Sequence, residues 1–255
     1  MEPALNSGVV FLITFLSIAI GGALGMLVRV RLPDAAIEDS KEVVRLGAGL
    51  MGTVAALVLG LMIASAKNSY DTQTSNVRQL TANLILLDEL LEQYGPETKD
   101  ARAMIRGAAA ITVQRIWREN ATEQNTATFA PSAAAERFFY TIETLSPAND
   151  LQRSIKPRIL EVGTDLVRTR LLMFVHVDNP LPGPLLIIVI LWLTVIFGSF
   201  TLFVQPNIIV ALASLVYALA VSSALFLIVD MSQPFSGLMK ISSAPLQHVL
   251  PPLGS

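Results

Sequence analysis

The chain has 255 residues and a mean hydropathy of +0.57, and its composition is 53% hydrophobic but only 15% charged. This balance is too apolar for an ordinary soluble domain and is typical of membrane proteins. The net charge of −2 excludes the basic footprint of a nucleic-acid-binding protein, and the absence of cysteine excludes disulfides and thiolate sites. With only two histidines as well, we expect no metal site and no cofactor.

The first apolar run predicts a retained membrane span at about residues 9–28. The tail before it carries no basic residue, which a signal peptide would need. Gly21, Gly22 and Gly25 form a patch of small residues, which usually marks close helix packing in lipid. A short polar link follows, and we expect helix to resume near Ser40.

The second span, at about residues 46–66, has two distinct faces. One wall is small and predicts close packing against neighbouring helices or copies of the chain; its members are Gly49, Gly52, Ala56 and Gly60. Thr53, Leu57 and Leu61 recur every four residues and share another face. They are either ordinary lipid or core contacts, or rings around the axis of an oligomer, where apolar rings can gate an ion path by dewetting.

A helical extramembrane domain is predicted at residues 67–180. Its first part is amphipathic, and no helix breaker separates it from the second span before Gly95-Pro96. The apolar stripe consists of Leu80, Leu84, Leu87 and Leu91. The acids off this stripe are expected to form a solvated face rather than paired carboxylates; they are Asp88, Glu89 and Glu92. Further helices are predicted at 97–119, 133–145 and 151–173, with Pro157 starting or kinking the firm part of the last one and a loop at 120–132.

Two more spans are predicted at about 185–204 and 208–229, followed by a Pro-rich tail at 231–255. The fold class is therefore all-α and polytopic, with four transmembrane helices. The divisions are a membrane pair at 1–66, the helical domain at 67–180, a second membrane pair at 181–230 and the tail. Positive charges on the two sides are nearly equal in number, so they leave the orientation open.

The tail carries one aromatic residue directly after the last span. We expect Pro234 and Phe235 to fold the tail back against the helical domain or a neighbouring subunit, because an aromatic after a membrane exit tends to be anchored. The alternative is that Phe235 sits in the interfacial aromatic belt.

Motifs of catalysis are absent from the sequence, which has no G-x-S-x-G elbow, no phosphate-binding GK[ST] loop and no H-E-x-x-H. We therefore expect a protein that is not an enzyme and has no catalytic residues.

Two stretches resemble bestrophins. LVLGL at 57–61 followed by AKNSYD at 66–71 looks like the second span of bestrophins. DMSQPFSGLMKISSAPL at 230–246 is similar to the acidic-x-x-x-P-F-x-G signature of a bestrophin-related bacterial family formerly classed only as a domain of unknown function. Asp230, Pro234, Phe235 and Gly237 carry that signature.

This resemblance implies a homo-oligomer, favouring a pentamer, with passive ion flow through a central pore in a bacterial inner membrane. Anions are favoured, the helical domain is cytoplasmic, and the pore neck falls on Thr53, Leu57 and Leu61. Two features depart from bestrophins. The aromatic residues of the bestrophin neck are replaced here by Leu57 and Leu61. The acidic cluster that follows the P-F-x-G residues in animal bestrophins and binds calcium is absent, so calcium activation is not expected. The alternative is a non-conducting, membrane-anchored scaffold or signalling protein whose helical domain binds a partner.

Overall fold

The computed structural model describes residues 6–118, 133–177, 183–235 and 237–249, with backbone alone for 34–39, 114–116, 118, 133, 174–177 and 248–249. Within these ranges the chain is helical and contains no strand. The helices are α1 (Ser7–Arg31), α2 (Asp34–Tyr94), α3 (Lys99–Arg118), α4 (Ala133–Thr144), α5 (Asp150–Val177), α6 (Gly183–Leu202), α7 (Ile208–Met231) and α8 (Ala244–Val249). Four of them, α1, α2, α6 and α7, are long and apolar enough to cross a bilayer. The predicted fold class is confirmed, while the predicted loop at 120–132 lies outside the described residues.

The chain divides by its internal contacts into two compact units. The first, which we call the membrane unit, comprises Met1–Tyr70 and Pro180–Gln233. The second, the helical unit, comprises Asp71–Asn179 and Pro234–Ser255. Helix α2 has 61 residues and contributes to both units.

The membrane unit is held together by close contact between α1 and α6. A Cβ atom on Gly21 would lie 2.7 Å from Cγ2 and 2.8 Å from the carbonyl oxygen of Thr194. The buried hydroxyl of Thr201, two turns after Thr194 on α6, donates a hydrogen bond of 2.9 Å to the carbonyl oxygen of Gly22. The predicted packing of the small-residue patch of the first span is therefore confirmed, and its partner is α6.

Helix α2 begins earlier than predicted. Leu32 has an extended backbone (φ −90°, ψ 143°) and ends α1, as the residue before a proline favours. Helix then resumes at Asp34 rather than near Ser40. The prediction was wrong because an acidic first turn after a proline is itself a helix start signal.

In the helical unit, α2 presents the predicted leucine stripe to a core. Leu80 and Leu84 are 3% and 4% exposed, and Leu87 and Leu91 are fully buried. Where α2 ends, Gln152 Nε2 donates to the carbonyl oxygen of Tyr94 over 2.7 Å. The stripe prediction is confirmed, and the end of α2 is tied to the start of α5.

Helix α5 passes through Pro157 without ending. The Asn149 side chain accepts a hydrogen bond of 2.8 Å from the Gln152 backbone N–H, which caps the helix start before the proline. Of the two alternatives predicted for Pro157, a firm helix that begins only after residue 156 is therefore not met.

One of the acids predicted to be solvated is buried. Asp88 is 8% exposed and accepts two hydrogen bonds of 2.8 Å from Arg102 on α3, a bidentate ion pair. Glu89 is exposed, and the side chain of Glu92 is 66% exposed, as predicted. The hydrogen bond with Asp88 raises the pKa of the Arg102 guanidinium above its ordinary value. The solvated-face prediction was wrong for Asp88 because its partner lies on another helix.

The tail docks within the helical unit. Phe235 is 5% exposed and its ring meets that of Trp117 edge to face, with centroids 5.5 Å apart. Trp117 Nε1 donates a hydrogen bond of 2.7 Å to the carbonyl oxygen of Ile241. The backbone N–H of Ile241 in turn donates one of 2.8 Å to the carbonyl oxygen of Pro234. The prediction that Pro234 and Phe235 fold the tail against the helical domain is confirmed.

Replacing Phe235 with alanine is expected to release the tail and to destabilise the protein by about 3 kcal/mol, because the change leaves a cavity against Trp117. Thermal unfolding measures the loss, and a red shift of Trp117 emission in a Trp192→Phe background reports tail release. Leu238→Ala is the matched control, since that side chain is 82% exposed. Equal melting temperatures for the two variants would contradict the docking.

Candidate functional site

One long exposed surface of the membrane unit is a stripe along one face of α2. We call it the α2 stripe; its members are Val43, Leu46, Leu50, Thr53, Leu57 and Leu61. Its five large apolar side chains are each between 69% and 75% exposed. The stripe extends from Val43 to Leu61, which is about 27 Å of helix at 1.5 Å per residue and close to the roughly 30 Å hydrocarbon thickness of a bilayer.

The three residues predicted to form a neck lie in a row on this stripe. Leu57 and Leu61 are 75% and 70% exposed. Thr53 is also exposed, and its hydroxyl donates to the carbonyl oxygen of Leu50 over 2.7 Å. Because that hydroxyl proton is engaged, Thr53 presents its methyl group and oxygen lone pairs. The neck face is thus apolar apart from one hydrogen-bond acceptor.

The small wall lies beside the stripe, roughly 100° further round the helix at 100° per residue. Its members are Gly49, Gly52, Ala56 and Gly60. A Cβ atom added at any of these three glycines would meet nothing within 4 Å in the described part of the chain. The glycines of the wall are therefore not packed against the described part of their own chain, and packing of the wall against another copy stays a prediction.

A third face of α2, a further 100° or so round the helix, attaches it to its own chain. The buried residues of this face are Ala48, Ala55, Met62 and Ala66. Met62 and Ala66 join a core cluster with Val10, Leu193 and Leu225 of the other spans. Only 17% of the apolar window of α2 is buried, against 33%, 33% and 28% for α1, α6 and α7. Helix α2 is therefore the span with the most surface left for other contacts.

Half of the stripe was missed by the sequence reasoning. Val43, Leu46 and Leu50 continue the spacing of three and four residues toward the start of α2. The signal was present: Val43 falls in the predicted polar link, and Leu46 and Leu50 fall in the predicted second span but were not assigned to the face that carries Thr53. Their inclusion doubles the length of the apolar face.

The tail-motif residues have separate structural roles. In the membrane unit, Asp230 is 1% exposed and accepts a hydrogen bond of 3.2 Å from the Ser7 hydroxyl. In the helical unit, Gly237 has φ 83°, a left-handed conformation that favours glycine. Pro234 and Phe235 hold the tail as described above. The motif thus combines a buried acid at the end of α7 with a turn that docks the tail.

The comparison with known proteins identifies a family. No curated protein and no solved structure matches the chain. The family described as "Bestrophin-like domain" matches residues 15–246, about nine-tenths of the 255 residues. The match includes the whole α2 stripe and the tail motif. The chain therefore belongs to the bestrophin-like family.

Proposed function

We propose that the chain is the subunit of an oligomeric ion channel, with passive flow along a central path lined by the α2 stripe. The proposal rests on one observation about α2. In this member of the bestrophin-like family, the helix carries an exposed apolar stripe that is about as long as a bilayer is thick, and a wall of exposed small residues lies beside it. A pentamer is the favoured assembly.

The three faces of α2 match what a pore-lining helix needs. The face with Met62 and Ala66 holds its own subunit. The wall with Gly52 and Gly60 lets the backbone of a neighbouring subunit approach closely, because no side chain stands between them. The α2 stripe is then the face that remains to line the central axis of the oligomer.

Rings of leucine at positions 57 and 61 would form an apolar constriction. Such a constriction gates by excluding water from a narrow segment, and it discriminates little between permeating ions of one sign. No charged residue lies on the stripe between Val43 and Leu61, so preference for anions would arise elsewhere in the pore. We therefore propose the stripe as the gate rather than as the selectivity element.

The remaining parts of the proposal concern the setting. We place the protein in a bacterial inner membrane with the helical unit in the cytoplasm. Its partners are the lipid bilayer, small ions and further copies of itself. Neither enzymatic chemistry nor a cofactor is needed for passive flow.

Replacing Leu57 and Leu61 together with alanine is expected to raise ion flux through purified protein in liposomes. Smaller side chains widen the constriction and ease its wetting, and a barrier lower by about 1.4 kcal/mol raises the rate roughly tenfold. Flux is measured with chloride and with small cations over a range of pH and voltage. Native mass spectrometry of the same preparation gives the subunit number.

The matched control is Leu215→Ala with Leu219→Ala on α7, which removes two exposed leucines at the same spacing (46% and 50% exposed). We expect its flux to equal that of the unaltered protein. If neither the unaltered protein nor the stripe variant conducts under any condition, the channel proposal fails. The non-conducting scaffold, with a leucine-plugged axis and a stable partner in pull-downs, would then replace it.

A further inference from the structure

The helical unit contains a cavity of about 70 Å³ between α2, α3, α4 and α5. The wall from α2 consists of Leu80, Leu84 and Leu87, and the wall from α4 includes Phe138 and Phe139. Protein cores contain few voids larger than a single water molecule, which takes about 10–15 Å³ in a space of this kind. The cavity is therefore large enough to hold a small molecule.

The space exists because small residues of α3, α4 and α5 complete the lining. They are Ala108, Ala109, Ala134, Ala135 and Gly163. A Cβ atom on Gly163 would lie 3.0 Å from Cε1 of Phe138 and 3.4 Å from Cε1 of Phe139. Because that side chain is missing, both rings rest on α5, and they meet each other edge to face with centroids 5.5 Å apart. The aromatic wall is thus held by contacts of its own, and the space beside it is formed without a guest.

The lining has little that would hold water. A buried water typically makes about three hydrogen bonds to buried polar groups. The lining includes Thr112 and Arg170, and none of the described residues that line the cavity is acidic. The Thr112 hydroxyl already donates to the carbonyl oxygen of Ala108 over 2.8 Å, and Arg170 is engaged in an interaction of its own. We therefore expect the cavity to be dry.

We propose that this cavity binds a small neutral hydrocarbon of about three or four carbon atoms. Apolar cavities that exclude water take up apolar guests, and one of about 150 Å³ binds benzene or xenon. At about half that volume, this cavity suits xenon or cyclopropane and is too small for benzene. Burial of the guest against leucine and phenylalanine side chains is favourable, and no hydrogen bond from the lining is needed. The site lies wholly in the helical unit and does not depend on ion conduction.

The test uses xenon and cyclopropane as probes and the methyl group of Met104, which lines the cavity, as the reporter. The full-length protein in nanodiscs carries methyl-labelled methionine, and Met104→Leu identifies the Met104 signal by NMR. We expect each probe to change the chemical shift of this methyl group saturably. Met62 is the matched reporter, because it is only 2% exposed but lies in the membrane unit. Its signal, identified with Met62→Leu, should show no saturable change.

Two variants test the location of the site. Ala109→Leu fills the cavity from α3, and Ala134→Leu fills it from α4, so that one remains if the other fails to fold. In the folded variants we expect the saturable response of Met104 to both probes to be lost.

A third variant tests the size of the site. Leu84→Ala enlarges the cavity and is expected to lower the dissociation constant for benzene at least about tenfold, measured on the Met104 signal. Leu91→Ala is the matched control, since it removes a fully buried leucine of the same helix that does not line the cavity. With this control, benzene should leave the Met104 signal unchanged. The proposal is overturned if neither probe shifts the Met104 signal saturably, if the filled variants respond as the unaltered protein does, or if benzene acts equally on the unaltered protein and on Leu84→Ala.

Discussion

Replacing Gly25 with alanine is expected to disrupt the membrane unit, although this is the mildest substitution a glycine can receive. The added Cβ would clash with the Thr201 hydroxyl oxygen and with the backbone carbonyl oxygen of Gly198 on α6. A side chain can turn away, but a helix backbone cannot move without separating α1 from α6. Overpacking of this kind costs about 3 kcal/mol or more. The expected result is a marked fall in folded yield and melting temperature of the purified protein.

Gly47→Ala is the matched control for this prediction. It makes the same chemical change in another apolar helix, at a position where the Cβ meets none of the described residues within 4 Å. We expect unchanged or slightly higher stability, because alanine is favoured over glycine in a helix by roughly 0.5–1 kcal/mol. If the two variants behaved alike, the close α1–α6 contact would not be what holds the membrane unit.

The second large effect is expected at the buried ion pair of the helical unit. Asp88→Ala leaves Arg102, whose side chain is 13% exposed, without its bidentate partner. Breaking a buried pair from one side costs about 3–5 kcal/mol, because the remaining charge stays desolvated. Thermal or denaturant unfolding measures the loss. The double variant Asp88→Leu with Arg102→Leu should recover most of it, since no charge then remains buried.

Arg153→Ala is the control for the ion pair. Arg153 pairs with Asp150 over 2.8 Å, but their side chains are 70% and 95% exposed, and we expect no measurable change in stability.

The hydrogen bond to Asp88 raises the pKa of Arg102. The ion pair's contribution to stability is therefore complete below the ordinary pKa of arginine and is lost only as the pH rises above that value. The destabilisation attributed to the guanidinium should therefore be constant between about pH 6 and pH 9. A double variant no more stable than Asp88→Ala would contradict this account.

The features predicted well from sequence depend on patterns within one helix. The four spans follow from hydropathy, and the burial of Leu80 to Leu91 follows from their spacing, because periodicity determines which residues share a face. The glycine patch of the first span was likewise read correctly as a contact surface. In each case the sequence signal is local, and the structure adds only the identity of the partner.

The features that were missed depend on pairing between helices. Asp88 looks like any acid beside an apolar stripe, and nothing local indicates that Arg102, 14 residues later, lies opposite it. The α2 stripe was predicted only from Thr53 onward. Val43 was assigned to a polar link because three charged residues, Lys41, Glu42 and Arg45, lie around it. By helix geometry these charged residues lie on other faces of α2 than the stripe. The average hydropathy of a sequence window does not distinguish one face from another.

The contact between Trp117 and Ile241 also sets an order for synthesis. The two residues are 124 positions apart, and α6 and α7 lie between them in the chain. At about 5–20 residues per second, a ribosome needs roughly 6–25 s to supply the second partner after the first. During that time α3 has been synthesised but the C-terminal tail that packs against it has not. Both C-terminal spans have to be synthesised before the tail can complete the helical unit. Completion of the helical unit is therefore a late event, which follows synthesis of the last span.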